Sequence, residues 1–156
     1  MLKDKSISKT VTVKFSSATE ISDIEDDSDI SDMSYAEQIL YYVNIEREKE
    51  GLSPLKLDDK LCRAADIRAK EITESFSHTR PDGEEWSSVF AEVGLKGTGG
   101  ENIAAGYDTA EATVAQWMAS DGHRANILNK NYTVLGAGAE YDKNSVYRWY
   151  WVQLFS

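Results

Sequence analysis

The 156-residue sequence has a single cysteine, Cys62, so no disulfide can form within the chain, and an oxidising compartment is neither required nor excluded. Basic residues are in the minority, 17 Lys and Arg against 27 Asp and Glu, for a formal net charge of −10. Nucleic-acid partners are excluded by that balance, because a basic face must replace the counterions around phosphates. A bare electrostatic attraction to an anionic membrane surface is disfavoured for the same reason. No apolar run approaches the roughly 20 residues that span a bilayer, and residues 1–19 hold no signal-peptide apolar region. Histidine is scarce too, with only His78 and His123.

What is present suits one domain with an extension: 41% of residues are hydrophobic, enough for a real core. The acids are unevenly spread. Glu20, Asp23, Glu25, Asp26, Asp27, Asp29 and Asp32 follow one another with no base among them, which predicts a solvated linker. The spacing of these acids lacks the glycine-turned loop and closing Glu of a calcium site. Before them, Val11, Val13 and Phe15 alternate with Thr12 and Lys14, a weak strand signal. Residues 1–33 therefore read as an N-terminal arm with an acidic linker, and residues 34–156 as the domain.

Helical signals open the domain. Ser34 with Glu37 makes a capping box ahead of an apolar face of Ala36, Ile39, Leu40 and Val43, and Gly51 ends the helix. Asp58 or Asp59 caps a second helix carrying Leu61, Ala65, Ala69, Ile72 and Phe76, which runs out near His78 before the turn sequence Pro81-Asp82-Gly83. Residues 84–93 predict a short third helix, and Asp108 with Glu111 a capping box for a fourth, bearing Trp117. Towards the end the period changes to two: residues 133–141 and 146–155 alternate around a turn at 142–145. Helices first and strands late, with no βαβ repeat, imply an α+β fold with an antiparallel sheet. Gly136 and Gly138 share one face of the first strand, which predicts a close approach by another element. Tyr147, Trp149 and Trp151 alternate on the last, which predicts aromatics packed beneath helices. Cys62 reads as a small buried hydrophobe.

Four segments carry the chemistry: Ser77-His78-Thr79-Arg80-Pro81-Asp82-Gly83, Gly100-Glu101-Asn102-Ile103-Ala104, Trp117 leading into Gly122-His123-Arg124-Ala125-Asn126-Ile127-Leu128, and Gly136-Ala137-Gly138 followed by Tyr150-Trp151-Val152-Gln153-Leu154-Phe155. In this order they resemble the bacterial branch of the CAP superfamily (cysteine-rich secretory, antigen and pathogenesis-related proteins), over roughly Ser34 to Ser156. The resemblance implies a three-layer α-β-α sandwich around a central antiparallel sheet. It also implies that His78, Glu101 and His123 line one cleft; Asp121, if it turns inward, and Gln153, as a hydrogen-bond partner, are further candidates for its lining.

Two imidazoles and a carboxylate can hold Zn²⁺ or another divalent cation at three positions, leaving a fourth for water. Without metal the same groups form a hydrogen-bonded acid/base set, or a structural clamp in which every lone pair is satisfied. One departure matters. Many animal and plant members carry a second Glu three residues after the helix Trp; here that place is Ser120, a poor metal ligand, with Asp121 next to it. Neither histidine has a Ser or Cys nucleophile in its sequence context. The expected function is a non-enzymatic binding module, extracellular or at the cell surface, whose cleft takes a small ligand, a divalent ion or a cell-surface component. Two alternatives stand beside it: a metal-dependent hydrolase using His78, Glu101 and His123, and a carrier of sterols or other lipids.

Overall fold

The computed structural model describes residues 27–156. The strand signal at Val11–Phe15 and most of the acidic linker lie outside the described residues. The elements follow in the order α1 (Asp27–Ser31), α2 (Tyr35–Lys49), β1 (Lys56–Leu57), α3 (Asp59–Glu74), α4 (Val89–Glu92), β2 (Gly100–Ala105), α5 (Ala110–Met118), α6 (Asp121–Ile127), β3 (Val134–Tyr141) and β4 (Trp149–Phe155). A 3-10 turn at Trp86–Ser88 leads into α4. The end of the expected linker is thus a short helix, α1. No helix among the described residues is long and apolar enough to cross a membrane.

Local chemistry sets the starts of three helices. Ser34 and Glu37 form the reciprocal capping box of α2, and Asp58 accepts from the Leu61 amide to start α3. The cap of α5 is Thr109, whose side chain accepts from the Ala112 amide, and not Asp108, because Thr109 is the residue with extended backbone directly before the helix. Phe76 lies beyond the end of α3 and is 52% exposed, so it is no part of that helix's apolar face.

The four strands are ordered β1-β3-β4-β2. The main pairings are antiparallel, as expected; the two-residue β1 adds a parallel pair with β3. Helices cover both faces, giving three layers. On one face α3 lays Leu61, Ala65, Ala69 and Ile72 against Ile103, Val152 and Leu154. On the other, α2, α5 and α6 bring Ile39, Val43, Val114, Trp117 and Ile127 onto Leu135, Ala137, Trp151 and Phe155. Gly136 and Gly138 are where α3 comes close: a β-carbon on Gly136 would stand 2.1 Å from the carbonyl carbon of Leu61, and one on Gly138 2.9 Å from that of Ala65. Trp151 is fully buried, whereas Tyr147 falls in the turn before β4 and is 55% exposed.

β4 is central, so β2 forms one edge of the sheet. The Gly106 amide donates to the Trp149 carbonyl, while the carbonyls of Glu101 and Ile103 accept from Asn126 Nδ2 and Trp117 Nε1. By strand alternation, residues 101, 103 and 105 turn their backbone groups away from β4. This edge carries the site.

Candidate functional site

Glu101 sits on β2 facing α3, with its side chain fully buried. A buried carboxylate needs a cation, and α3 supplies one from its inward stripe: Arg68, itself fully buried, donates Nε to Glu101 Oε2 at 2.7 Å and Nη2 to Oε1 at 3.1 Å. His78 Nδ1 lies 2.8 Å from the same Oε1. The guanidinium also reaches outward, to Glu71 at 2.7 Å and to the Ser77 carbonyl at 2.7 Å, which fixes the segment bearing His78. Glu71 in turn accepts from Arg80, which also pairs with Glu92 at 2.7 Å. Alternating charges therefore run from the exposed His78 to the rim of α4. The hydrogen bond to Glu101 raises the His78 pKa above its ordinary value, against a smaller opposing effect of burial.

His123 stands in the first turns of α6. Its carbonyl accepts from Asn102 Nδ2 at 3.1 Å, and its Nδ1 is buried with no hydrogen-bond partner among the described residues. Burial lowers the His123 pKa, and the nearby positive charge of His78 lowers it further. The two histidines thus feel each other, yet they are poised in opposite senses. Asn126 ties α6 to the edge strand, donating to Asn102 Oδ1 at 2.9 Å and to the Glu101 carbonyl. Gly100 makes room for this, since a β-carbon there would stand 2.9 Å from Asn126 Oδ1.

Beside the edge strand β2 lies a groove of about 240 Å³, lined by residues 103–105, Gln116, His123, Phe76, Tyr107 and Tyr147. Gln116 Oε1, like His123 Nδ1, is buried without a partner among the described residues.

A family model for the cysteine-rich secretory protein (CAP) family matches residues 40–155. The chain belongs to the CAP family. It is 37% identical over 108 residues to the uncharacterized protein YkwD of Bacillus subtilis (strain 168), covering 67% of this chain and 42% of that protein. An extracellular protein containing an SCP domain from Bacillus anthracis (strain Ames) superposes with a TM-score of 0.70 at 28% identity, over 83% of this chain and 43% of the other. An outer surface protein of Borrelia burgdorferi shares the fold with a TM-score of 0.68 at 20% identity, over 76% and 89% of the two chains. The chain spans less than half the length of the curated relatives it matches. Its bacterial structural neighbours include an extracellular protein and an outer surface protein.

Within this CAP domain the expected cleft residues fare differently. His78 and Glu101 touch, and His123 lies near enough to sense the His78 charge. Asp121 does not join them: it is in the first turn of α6 with its side chain 98% exposed, weakly paired with Arg124 at 3.5 Å. Ser120 is the residue before that helix, so the place of the family's second Glu opens no carboxylate into the cleft. Gln153 is fully buried, with Oε1 accepting from Asn102 Nδ2 at 3.1 Å, and serves the network beneath α6.

A divalent ion does not fit the residues present. Both Glu101 oxygens are committed to Arg68 and one also to His78, and a guanidinium at 2.7 Å repels a dication. Among the described residues no group of three or more His, Cys, Asp and Glu side chains is arranged to hold a metal. Arg68 is a site residue that the sequence reading missed, as is Gln116 in the groove. The signal for Arg68 was legible: Leu61, Ala65, Arg68 and Ile72 follow at spacings of four, three and four, so a charge stands on the buried stripe of α3.

Proposed function

We propose that this CAP domain works outside the cell or at its surface as a non-enzymatic binding module, and that its ligand is a small molecule seated beside His123 instead of a divalent ion or a lipid. The observation that carries this reading is the commitment of Glu101. A carboxylate saturated by an arginine and an imidazole is a clamp joining α3, the His78 segment and the sheet edge, not a free ligand or base. Neither histidine is hydrogen-bonded to a hydroxyl or thiol among the described residues, which speaks against nucleophilic chemistry here. The groove, at about 240 Å³, is below the roughly 300–1,000 Å³ typical of drug-sized ligands, which favours a small molecule over a sterol. The likeness to an extracellular Bacillus anthracis protein supports the location.

The test is an NMR titration that follows the His78 and His123 imidazoles and the amides of residues 103–105. Zinc should leave these signals in place, and small neutral fragments should shift them saturably. Stoichiometric zinc binding abolished by His123→Ala would overturn the reading in favour of the metal-dependent hydrolase. Silence from every fragment would overturn it as well.

A further inference from the structure

Resting on that reading, we infer that the groove beside His123 recognises a secondary amide, the N–H and C=O of an acylated amine, flanked by an apolar ring or methyl group. Charge is the first argument. None of the described residues lining the groove carries a carboxylate, ammonium or guanidinium group, so an anionic or cationic ligand would enter without a counter-charge. His123, the one lining imidazole, is pushed towards its neutral form by burial and by His78. A neutral ligand matches a neutral lining.

Polarity narrows the class. Gln116 and His123 each line the groove and each keep a buried side-chain atom without a partner among the described residues, which costs stability unless a ligand supplies one. Around them lie the backbone groups of residues 103 and 105 that face away from β4. A strand edge is built to meet an amide, one donor and one acceptor held in a plane. A full added strand is blocked, however. Trp117 Nε1 already holds the Ile103 carbonyl, Asn126 Nδ2 holds that of Glu101, and Gly106 turns the chain away with φ +91°. One amide fits where a strand does not. Phe76 and Tyr147, 52% and 55% exposed at the rim, offer ring faces to whatever flanks it.

Such an amide comes either from an N-acetylated amino sugar or from a capped amino acid, and the experiment separates the two. The full 156-residue chain is titrated by NMR with N-acetylglucosamine, with N-acetyl-alanine methylamide, and with glucose as the probe lacking the amide. At least one amide probe should shift the amides of residues 103–105 and the His123 ring saturably, and glucose should bind at least about tenfold more weakly. Gln116→Leu should weaken the binding probe about tenfold while leaving thermal stability unchanged or raised, because it removes a buried unpaired oxygen. Tyr147→Ala, at an exposed position, should weaken it without unfolding the protein. Glucose binding as well as the amide probes, or Gln116→Leu binding as well as wild type, would overturn the inference. If neither amide probe binds while neutral fragments without an amide do, the amide inference falls and the binding module stands; if nothing binds, both fall.

Discussion

Glu101 and Arg68 form a pair in which each charge is buried and each depends on the other. Removing Glu101 leaves the buried guanidinium with only the partly exposed Glu71 as counter-charge, whereas replacing both partners by apolar groups removes the desolvation cost as well. Glu101→Leu alone should therefore cost about 3–5 kcal/mol in urea unfolding, and adding Arg68→Met should recover a large part of it. A double variant no more stable than the single one would show that the pair does not behave as a unit. The histidines make a second prediction, with opposite signs. His78 has a raised pKa in the folded protein, first through Glu101, so its stabilisation is full below the unfolded imidazole value of about 6.5 and fades as pH rises through the raised one. His123 has a lowered pKa, first through burial, so stability is lost as pH falls from about 6.5 through the lowered value. Relative to wild type, His78→Gln should be at its worst in mild acid and His123→Gln at its best there. Unfolding free energies at about pH 5.5 and 8 check both; the same sign for the two variants would refute the assignment. His78→Gln should also raise the His123 pKa, because it removes the charge that helps to lower it.

At the scale of elements, the approach of α3 to β3 is set by two glycines, and the structure ranks them. Gly136→Ala places its methyl group against the backbone of Leu61 and Cys62, within 2.4 Å of three main-chain atoms, and should cost about 3 kcal/mol or more. Gly138→Ala meets Asp66 Oδ1 at 2.7 Å and the Ala65 backbone at 2.9 Å, so it should cost less. Gly122→Ala in α6 meets nothing within 4 Å and should be neutral or stabilising by about 0.5–1 kcal/mol. Thermal unfolding of the three gives the order, and a Gly136→Ala protein as stable as wild type would break the argument. These glycines were legible because two on one strand face leave a gap that another element must fill. α2, α3 and the β3–β4 pair were legible for a similar reason: their caps and periods are local. What escaped was not local. β2 reads Gly-Glu-Asn-Ile-Ala-Ala, poor in β-formers, and is a strand because β4 pairs with it along its whole length. α6 begins at Asp121-Gly122, a turn-like pair, and is a helix because Ile127 is buried in the core and Asn126 is anchored to the sheet edge. In the site, the grouping of His78 with Glu101 came from family resemblance, since they stand 23 positions apart and no spacing rule joins them. The placement of Asp121 could not be settled without knowing that α6 is helical, because only the helix turns it outward.

At the scale of the molecule, the acids and the core divide the chain, and where the folded domain begins is a matter of energetics. The end of the acidic run and the capping box of Ser34 with Glu37 place that start at Ser34. Met33, however, is buried; its amide donates to the Ile30 carbonyl at 3.1 Å and its carbonyl accepts from Gln38 Nε2 at 3.0 Å. A chain of residues 34–156 would lose that contact, and it would also put a free ammonium at the start of α2, where the positive end of the helix disfavours it. A buried Met side chain contributes about 1.5–3 kcal/mol, and the terminal charge adds about 0.3–1 kcal/mol of repulsion. The chain of residues 27–156 keeps Met33 and moves the ammonium from the start of α2 to that of the five-residue α1. We expect residues 34–156 to fold, with a stability about 2 kcal/mol or more below that of residues 27–156 in urea unfolding, and with the gap narrowed by acetylating the terminus, which removes only the charge. Equal stability of the two chains would show that the domain starts at Ser34.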